Sequence, residues 1–186
     1  MKLFQTLKNK SNGYSSPQRL VFDITADNSE EPKDVEMMQI ANLSFRPEYT
    51  EQIMEALYRR MNDKTHWRHV QKALTLLYYL VHYGSLEVVM WYKKHSLLVI
   101  SLKSYYQHDD TGKDVSEFIR VLANEIVKLV DNKAELERVR VKSAIVRGKK
   151  TREREQLIKD GRDNGGKTYV DAALTSSITL GGSGGI

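Results

Sequence analysis

Apolar side chains recur at helical spacing through most of this chain, as far as about residue 157. The most regular pattern predicts a helix over 114–131, and a second run from Val70 is apolar nearly all round a helical wheel. That second run predicts a buried helix over about 66–83, ending at Gly84 as a C′ glycine. Because no segment alternates with a period of two, the pattern predicts an all-α fold without a sheet.

Prolines and caps indicate where the helices begin. Pro17, Pro32 and Pro47 each fit at or near the first turn of a helix, where proline is tolerated. Asp114 or Ser116 fits as the cap of the helix over 114–131, and Glu117 follows Asp114 at the spacing of a capping box. The patterning predicts further helices over 34–45, 47–62, 85–95, 96–106 and about 133–157.

Composition divides the chain into three parts. From Gly161 onward it is small, polar and glycine-rich, which is typical of a disordered tail or the start of a linker. We therefore expect a flexible amphipathic segment over 1–14, one helical domain over 15–158 and a tail over 159–186. A chain of 186 residues is long enough for one sizeable core.

The first ten residues have one apolar side. Leu3, Phe4 and Leu7 share an arc of a helical wheel, and the lysines, including Lys8, lie largely outside it. Such a peptide is too short to fold alone in water, but it can fold on an anionic membrane surface. The alternative is a frayed N-terminus that packs on its own domain or on nothing. The N-terminal segment has no cleavage-like site, so we do not expect a secretory signal.

The charge of +5 is unevenly distributed along the chain. Residues 1–20 and 138–154 are cation-rich, and the stretch between 21 and 36 is acidic. This alternation favours one face for anionic partners. We interpret the cations of 138–154 as the solvated face of a terminal helix, so no nucleic-acid partner is expected.

The sequence holds none of the motifs that would indicate catalysis. Cysteine is absent, and no HExxH, P-loop or GxSxG pattern occurs. We therefore expect no enzyme activity, no catalytic residue, no metal site and no cofactor. The longest apolar runs are too short to span a bilayer, so any membrane contact is expected to be peripheral.

Cations cluster where the buried helix begins. Arg60, Lys64, Arg68 and His69 surround a predicted helix start, whose free N–H groups already favour an anion. Guanidinium gives forked bonds to phosphate oxygens, and lysine adds a mobile charge. The pattern predicts a phosphate site, and the alternative is a solvated cationic turn with Trp67 packed in the core.

The same stretch carries a family resemblance. The run RRMND…WRHVQKALTLLYYLVHYGSLEVV resembles the signature of the epsin N-terminal homology (ENTH) domain, and QIANLSF upstream and DTGKD downstream also match. The long-spaced lysine motif of the sister ANTH class is missing. The resemblance covers roughly residues 15 to 157 and implies a right-handed superhelical stack of seven to eight helices, similar to the ENTH and VHS solenoids.

The resemblance also implies which residues bind lipid. Lys8, Arg60, Lys64 and His69 match family positions that contact phosphoinositide phosphates, and Leu3, Phe4 and Leu7 match the segment that inserts into the membrane. Two positions depart from the family: Phe22 replaces a cation, and Asp27 stands at a polar contact. We expect Arg19, one turn before Phe22, to compensate.

Membership of this family would make the chain a cytoplasmic, peripheral membrane adaptor. The expected role is phosphoinositide binding during clathrin-linked vesicle formation, at the plasma membrane or at Golgi and endosomal membranes. Clathrin-coat or cargo proteins would bind through regions beyond residue 186. The alternative is a protein-recognition module that binds a SNARE or sorting-cargo partner with little dependence on lipid.

Overall fold

The computed structural model describes residues 13–159, and in this range the chain forms eight α-helices and no strand. An isolated bridge joins His108 and Asp114. The all-α prediction is therefore confirmed. In chain order the helices are α1 Ser16–Ile24, α2 Asp34–Leu43, α3 Pro47–Asn62, α4 Trp67–Tyr83, α5 Leu86–Lys94, α6 Ser96–Leu102, α7 Glu117–Asp131 and α8 Lys133–Lys159.

Helix α4 lies at the centre of the core, as its apolar sequence predicts. It packs against α2, α3, α5 and α7, so few of its side chains reach solvent. Tyr78 is the exception among the large apolar ones, with 36% of its surface exposed. The apolar side chains that α4 buries completely or nearly so are Val70, Ala73, Leu74, Leu76, Leu77, Leu80 and Val81. Burial on several sides holds the first turn of α4 in place, and the candidate site depends on that turn.

Helix starts follow the prolines and local caps. Pro17 and Pro47 lie in the first turns of α1 and α3, as predicted. Ser15 caps α1 in a reciprocal pair: its hydroxyl accepts from the Gln18 N–H at 3.4 Å, and the Gln18 side chain accepts from the Ser15 N–H at 3.1 Å. These caps use the free N–H groups that every helix start exposes.

Two predicted helix-end motifs are wrong. Gly84 has a φ of −79°, so it is not a left-handed C′ glycine; glycine is needed because an added Cβ would lie 2.7 Å from the Leu80 carbonyl oxygen. The Asp114–Glu117 capping box does not form either. Helix α7 begins only at Glu117, and the Asp114 carboxylate accepts from the Ser116 N–H at 2.8 Å.

The chain divides after Ser143 into two compact units. Within the described range, the first unit holds α1 to α7 and the start of α8, and the second holds the rest of α8. The expected domain boundary near residue 158 stays a prediction, and residues 1–12 and 160–186 lie outside the described range. None of the described helices is both long enough and apolar enough to cross a membrane.

Candidate anion-binding site

The candidate site is the corner where α3 ends and α4 begins, with the loop 63–66 between them. We call it the α3–α4 corner and define it by Arg60, Asp63, Lys64, His66 and His69. Four loop residues bring the last turn of α3 beside the first turn of α4. The free N–H groups at the start of α4 add a positive potential to the corner.

Arg60 is half-buried and ties α1 to the corner. Its Nε donates to Thr25 Oγ1 at 3.1 Å, and its Nη2 donates to the Phe22 carbonyl at 3.0 Å. Its Nη1 lies 2.9 Å from His69 Nε2 and 3.1 Å from His69 Nδ1. Burial lowers the pKa of Arg60, although nearby carboxylates, Asp63 first, oppose that effect. A guanidinium has five N–H groups, so these four contacts leave at least one for a ligand.

His69 lies between a cation and an anion. The residue is only 8% exposed, and its Nδ1 lies 2.8 Å from Asp63 Oδ2, while Arg60 Nη1 lies within 3.1 Å of both ring nitrogens. Burial and then the charge of Arg60 lower the pKa of His69, and Asp63 only partly opposes them. A neutral ring that donates from Nδ1 to Asp63 and accepts at Nε2 from Arg60 satisfies all three groups.

Asp63 brings a negative charge into this cationic corner. Its Oδ1 accepts from the Thr65 hydroxyl at 2.9 Å and lies 3.0 Å from His66 Nδ1. Burial alone would raise the pKa of Asp63, but hydrogen bonds from His66, His69 and Thr65 outweigh it and hold the pKa well below its usual range. An incoming anion therefore has to displace a carboxylate from the imidazole ring.

Of the other predicted site residues, the structure describes Lys64 and Arg19, and each has a contact of its own. Lys64 is exposed, and its carbonyl accepts from the Tyr105 hydroxyl at 2.8 Å, which fixes the loop backbone. Arg19 is half-buried and donates from Nη1 to the Tyr14 carbonyl at 2.9 Å. The remaining predicted residues lie outside the described range: Lys8, Leu3, Phe4 and Leu7.

Phe22 and Asp27, the two departures from the family pattern, each contact an arginine. Phe22 is 5% exposed, and the Arg60 guanidinium carbon lies 4.9 Å from the centre of its ring. Phe22 therefore gives Arg60 an aromatic platform, since a cation over a ring face is attracted to it. Asp27 is exposed and lies 3.7 Å from Arg68, so it partly neutralises a second cation of the helix start.

Lys72 is a buried cation beside the corner that the sequence reasoning missed. The residue is only 2% exposed, and its Nζ donates to Ala26 O at 2.8 Å, to Asn28 O at 2.9 Å and to Asn28 Oδ1 at 2.7 Å. Burial lowers the pKa of Lys72. The sequence signal was its position three residues after His69, which places both on one helix face inside an apolar run.

Comparisons with known proteins point to one family. The sequence model of the ENTH domain matches residues 14–136. Epsin-2 of Saccharomyces cerevisiae (strain ATCC 204508 / S288c) is 37% identical over 71% of this chain and 22% of its own length. The ENTH domain from epsin-2 in complex with phosphatidylinositol 4,5-bisphosphate is 36% identical, with a TM-score of 0.70, over 74% of this chain and 97% of that one.

A third similar structure is that of the endocytic adaptor complex AENTH. It is 31% identical to this chain, with a TM-score of 0.72, and covers 76% of this chain and 97% of that one. The chain spans about a fifth to just over a quarter of the length of the curated relatives it matches, at 22%, 20% and 28% for three of them.

Proposed function

The chain belongs to the ENTH domain family, and we propose that it is a phosphoinositide-binding adaptor domain that attaches peripherally to cytoplasmic membrane surfaces during clathrin-linked vesicle formation. We propose no catalytic activity. The single observation that carries the proposal is the meeting of Arg60 and His69, 2.9 Å apart, at the start of a buried helix. The similarity to a domain bound to a phosphorylated inositide supports the same ligand class.

The α3–α4 corner is suited to one phosphate group. Arg60 keeps at least one N–H group for it, the exposed Lys64 adds a mobile charge from the loop, and the start of α4 adds backbone N–H groups. The phosphate competes with the Asp63 carboxylate for the place beside the His69 ring and displaces it. Protonation of His69 favours phosphate binding, because a charged ring attracts the anion more strongly.

The other proposed contacts come from the N-terminal part of the chain. Lys8 and Arg19 are proposed to contact the headgroup, and Leu3, Phe4 and Leu7 are proposed to enter the membrane as a short amphipathic helix. One headgroup and one short helix each anchor a protein only marginally. Stable attachment therefore requires both together.

Vesicle co-sedimentation tests the proposal. The chain is mixed with phosphatidylcholine vesicles that either contain or lack phosphatidylinositol 4,5-bisphosphate, in buffer with a chelator. We expect binding that depends on the inositide and weakens as salt is added, because salt screens the charges. Removal of residues 1–10 should weaken binding further.

Matched substitutions locate the site. Lys64→Ala and His69→Ala each remove one charge-assisted contact, so each should weaken binding by roughly tenfold or more. Arg59→Ala removes an exposed cation from the residue next to Arg60 and serves as the charge-matched control for Lys64→Ala. If His69→Ala and Lys64→Ala both bind like Arg59→Ala, the α3–α4 corner is not the lipid site.

A second candidate function is recognition of a protein partner, and one exposed surface favours it. The Trp91 and His95 rings are stacked with centres 3.7 Å apart, and the Tyr58 ring lies 6.0 Å from each. Tyr58 and His95 are exposed and Trp91 is half-buried, while Leu86 and Met90, on the same helix α5 as Trp91, are 60% and 50% exposed. An exposed apolar surface of this kind is typical of a partner site.

Trp91→Ala tests that candidate. A partner held on this surface should be lost in the variant, and vesicle binding should stay as in the parent chain. Equal loss of vesicle binding would instead place the membrane contact on this surface.

A further inference from the structure

Three potential metal ligands meet in the α3–α4 corner. Asp63 follows the last residue of α3, His66 precedes the first residue of α4, and His69 lies in the first turn of α4. Their spacing of three residues brings the ligand atoms within 4.8 Å of one another. His66 Nδ1 is 3.0 Å from Asp63 Oδ1, and His69 Nδ1 is 2.8 Å from Asp63 Oδ2.

These distances are close to those of a tetrahedral metal site. Zinc binds imidazole nitrogen and carboxylate oxygen at about 2.0–2.2 Å, which puts neighbouring ligand atoms roughly 3.3–3.5 Å apart. The two carboxylate–imidazole contacts are slightly shorter than this spacing, and all three ligand atoms lie within 4.8 Å of one another, so the side chains would rearrange locally to admit an ion. Two imidazoles with one carboxylate are a ligand set that suits zinc, copper and nickel.

Solvent reaches the cluster. The His66 side chain is 49% exposed and that of Asp63 is 34% exposed, whereas that of His69 is 11% exposed. An ion can therefore enter from the His66 side and keep a fourth position for water. All three ligands belong to one stretch of seven residues, so the ordering that binding requires is small.

We propose that Asp63, His66 and His69 bind one divalent transition-metal ion. Zn²⁺ is the ion used to test the site. This site goes beyond the proposed lipid-binding function and does not depend on it. The ion bonds to Nδ1 of each ring, so the proton held there moves to Nε2 and no net proton is lost from a neutral ring. The carboxylate exchanges its hydrogen bonds from the rings for one bond to the metal.

Arg60 opposes the ion in a way that can be measured. Its Nη1 lies 2.9 Å from His69 Nε2 and 3.1 Å from His69 Nδ1, the proposed ligand atom. Once the ion takes Nδ1, the proton on Nε2 would face the Nη1 donor, and the guanidinium charge would repel the ion. Arg60→Gln should therefore strengthen metal binding, although it removes a cation that the lipid proposal requires.

Titration of the untagged, metal-free chain by calorimetry tests this inference, with Co²⁺ absorption to report the coordination geometry. We expect one Zn²⁺ per chain. Affinity should fall at least roughly tenfold in His66→Ala and in Asp63→Asn, which loses a ligand without a change of shape. His82→Ala, which removes an imidazole from the far end of α4, should change nothing.

Two results would overturn the site: no saturable uptake of Zn²⁺, or equal affinities for His66→Ala and His82→Ala. His66 is exposed, so its substitution should leave the fold intact, and a melting curve of each variant verifies this. These titrations contain no lipid, and the vesicle assays contain a chelator. Failure of one proposal therefore leaves the result for the other unaffected.

Discussion

The contacts of Arg60 make a specific prediction about stability. Arg60→Met removes donors to Thr25, to the Phe22 carbonyl and to His69, and the longest of these contacts is 3.1 Å. A buried acceptor that loses its partner costs about 1–3 kcal/mol. Thr25 keeps its bond to the Val21 carbonyl, and methionine still covers Phe22. We therefore expect Arg60→Met to lower the free energy of unfolding by about 2 kcal/mol in total.

That free energy corresponds to a fall in Tm of about 4–8 °C for a chain of this size. Arg59→Met, at the neighbouring exposed position, is the matched control and should change stability by less than about 0.5 kcal/mol. Urea unfolding followed by far-UV circular dichroism gives both values. The stability of Arg60→Lys should lie between those of Arg60→Met and Arg59→Met, because an ammonium cannot reach three separated acceptors at once.

Equal unfolding midpoints for Arg60→Met and Arg59→Met would refute this reasoning. Arg60 would then be a solvated cation whose contacts contribute nothing to the native state. That is the alternative that the sequence left open for the whole cluster.

Three further predictions concern the parts that hold the corner and the core in place. Tyr105→Phe removes the bond to the Lys64 carbonyl, 2.8 Å long, and should cost about 1 kcal/mol in urea unfolding. Gly84→Ala would put a Cβ 2.7 Å from a carbonyl oxygen of α4, so the helix end must shift; we expect a loss of about 1–3 kcal/mol in thermal unfolding. Hydrogen bonds from Arg120 and then Ser116 hold the pKa of Asp114 well below 3.8. The Asp114 carboxylate therefore contributes to stability above that pH, and the contribution is lost as the pH falls below it. In Asp114→Asn the free energy of unfolding should fall less steeply in acid than in the parent chain. At neutral pH the variant should be less stable than the parent chain.

Several elements could be predicted from local sequence because their causes are local. Helix α3 has the predicted bounds 47–62, and α4 begins one residue later than predicted. Proline at a first turn and apolar side chains at helical spacing act within a few residues, so the sequence carries the full signal. The two wrong helix ends, Gly84 and Asp114, depend instead on how the adjoining chain packs.

The candidate site was predicted only in part, for the same reason. The sequence identified Arg60 and His69, which face each other across a short loop. It did not separate the half-buried Arg60 from the exposed Arg59, and it missed the buried Lys72. Their partners on and after α1 are more than thirty residues away along the chain, so no local pattern reports them.

The sequence by itself determined the all-helical class, the family and the cations at the start of α4, because composition, periodicity and motif spacing carry that information. Only the tertiary structure decided what the cations contact. Packing brings α1 against α3 and supplies the acceptors for Arg60 and Lys72, while the short loop 63–66 places Asp63 between His66 and His69. Burial, which is the first cause of the pKa shifts of Arg60, His69 and Lys72, arises only when distant segments meet.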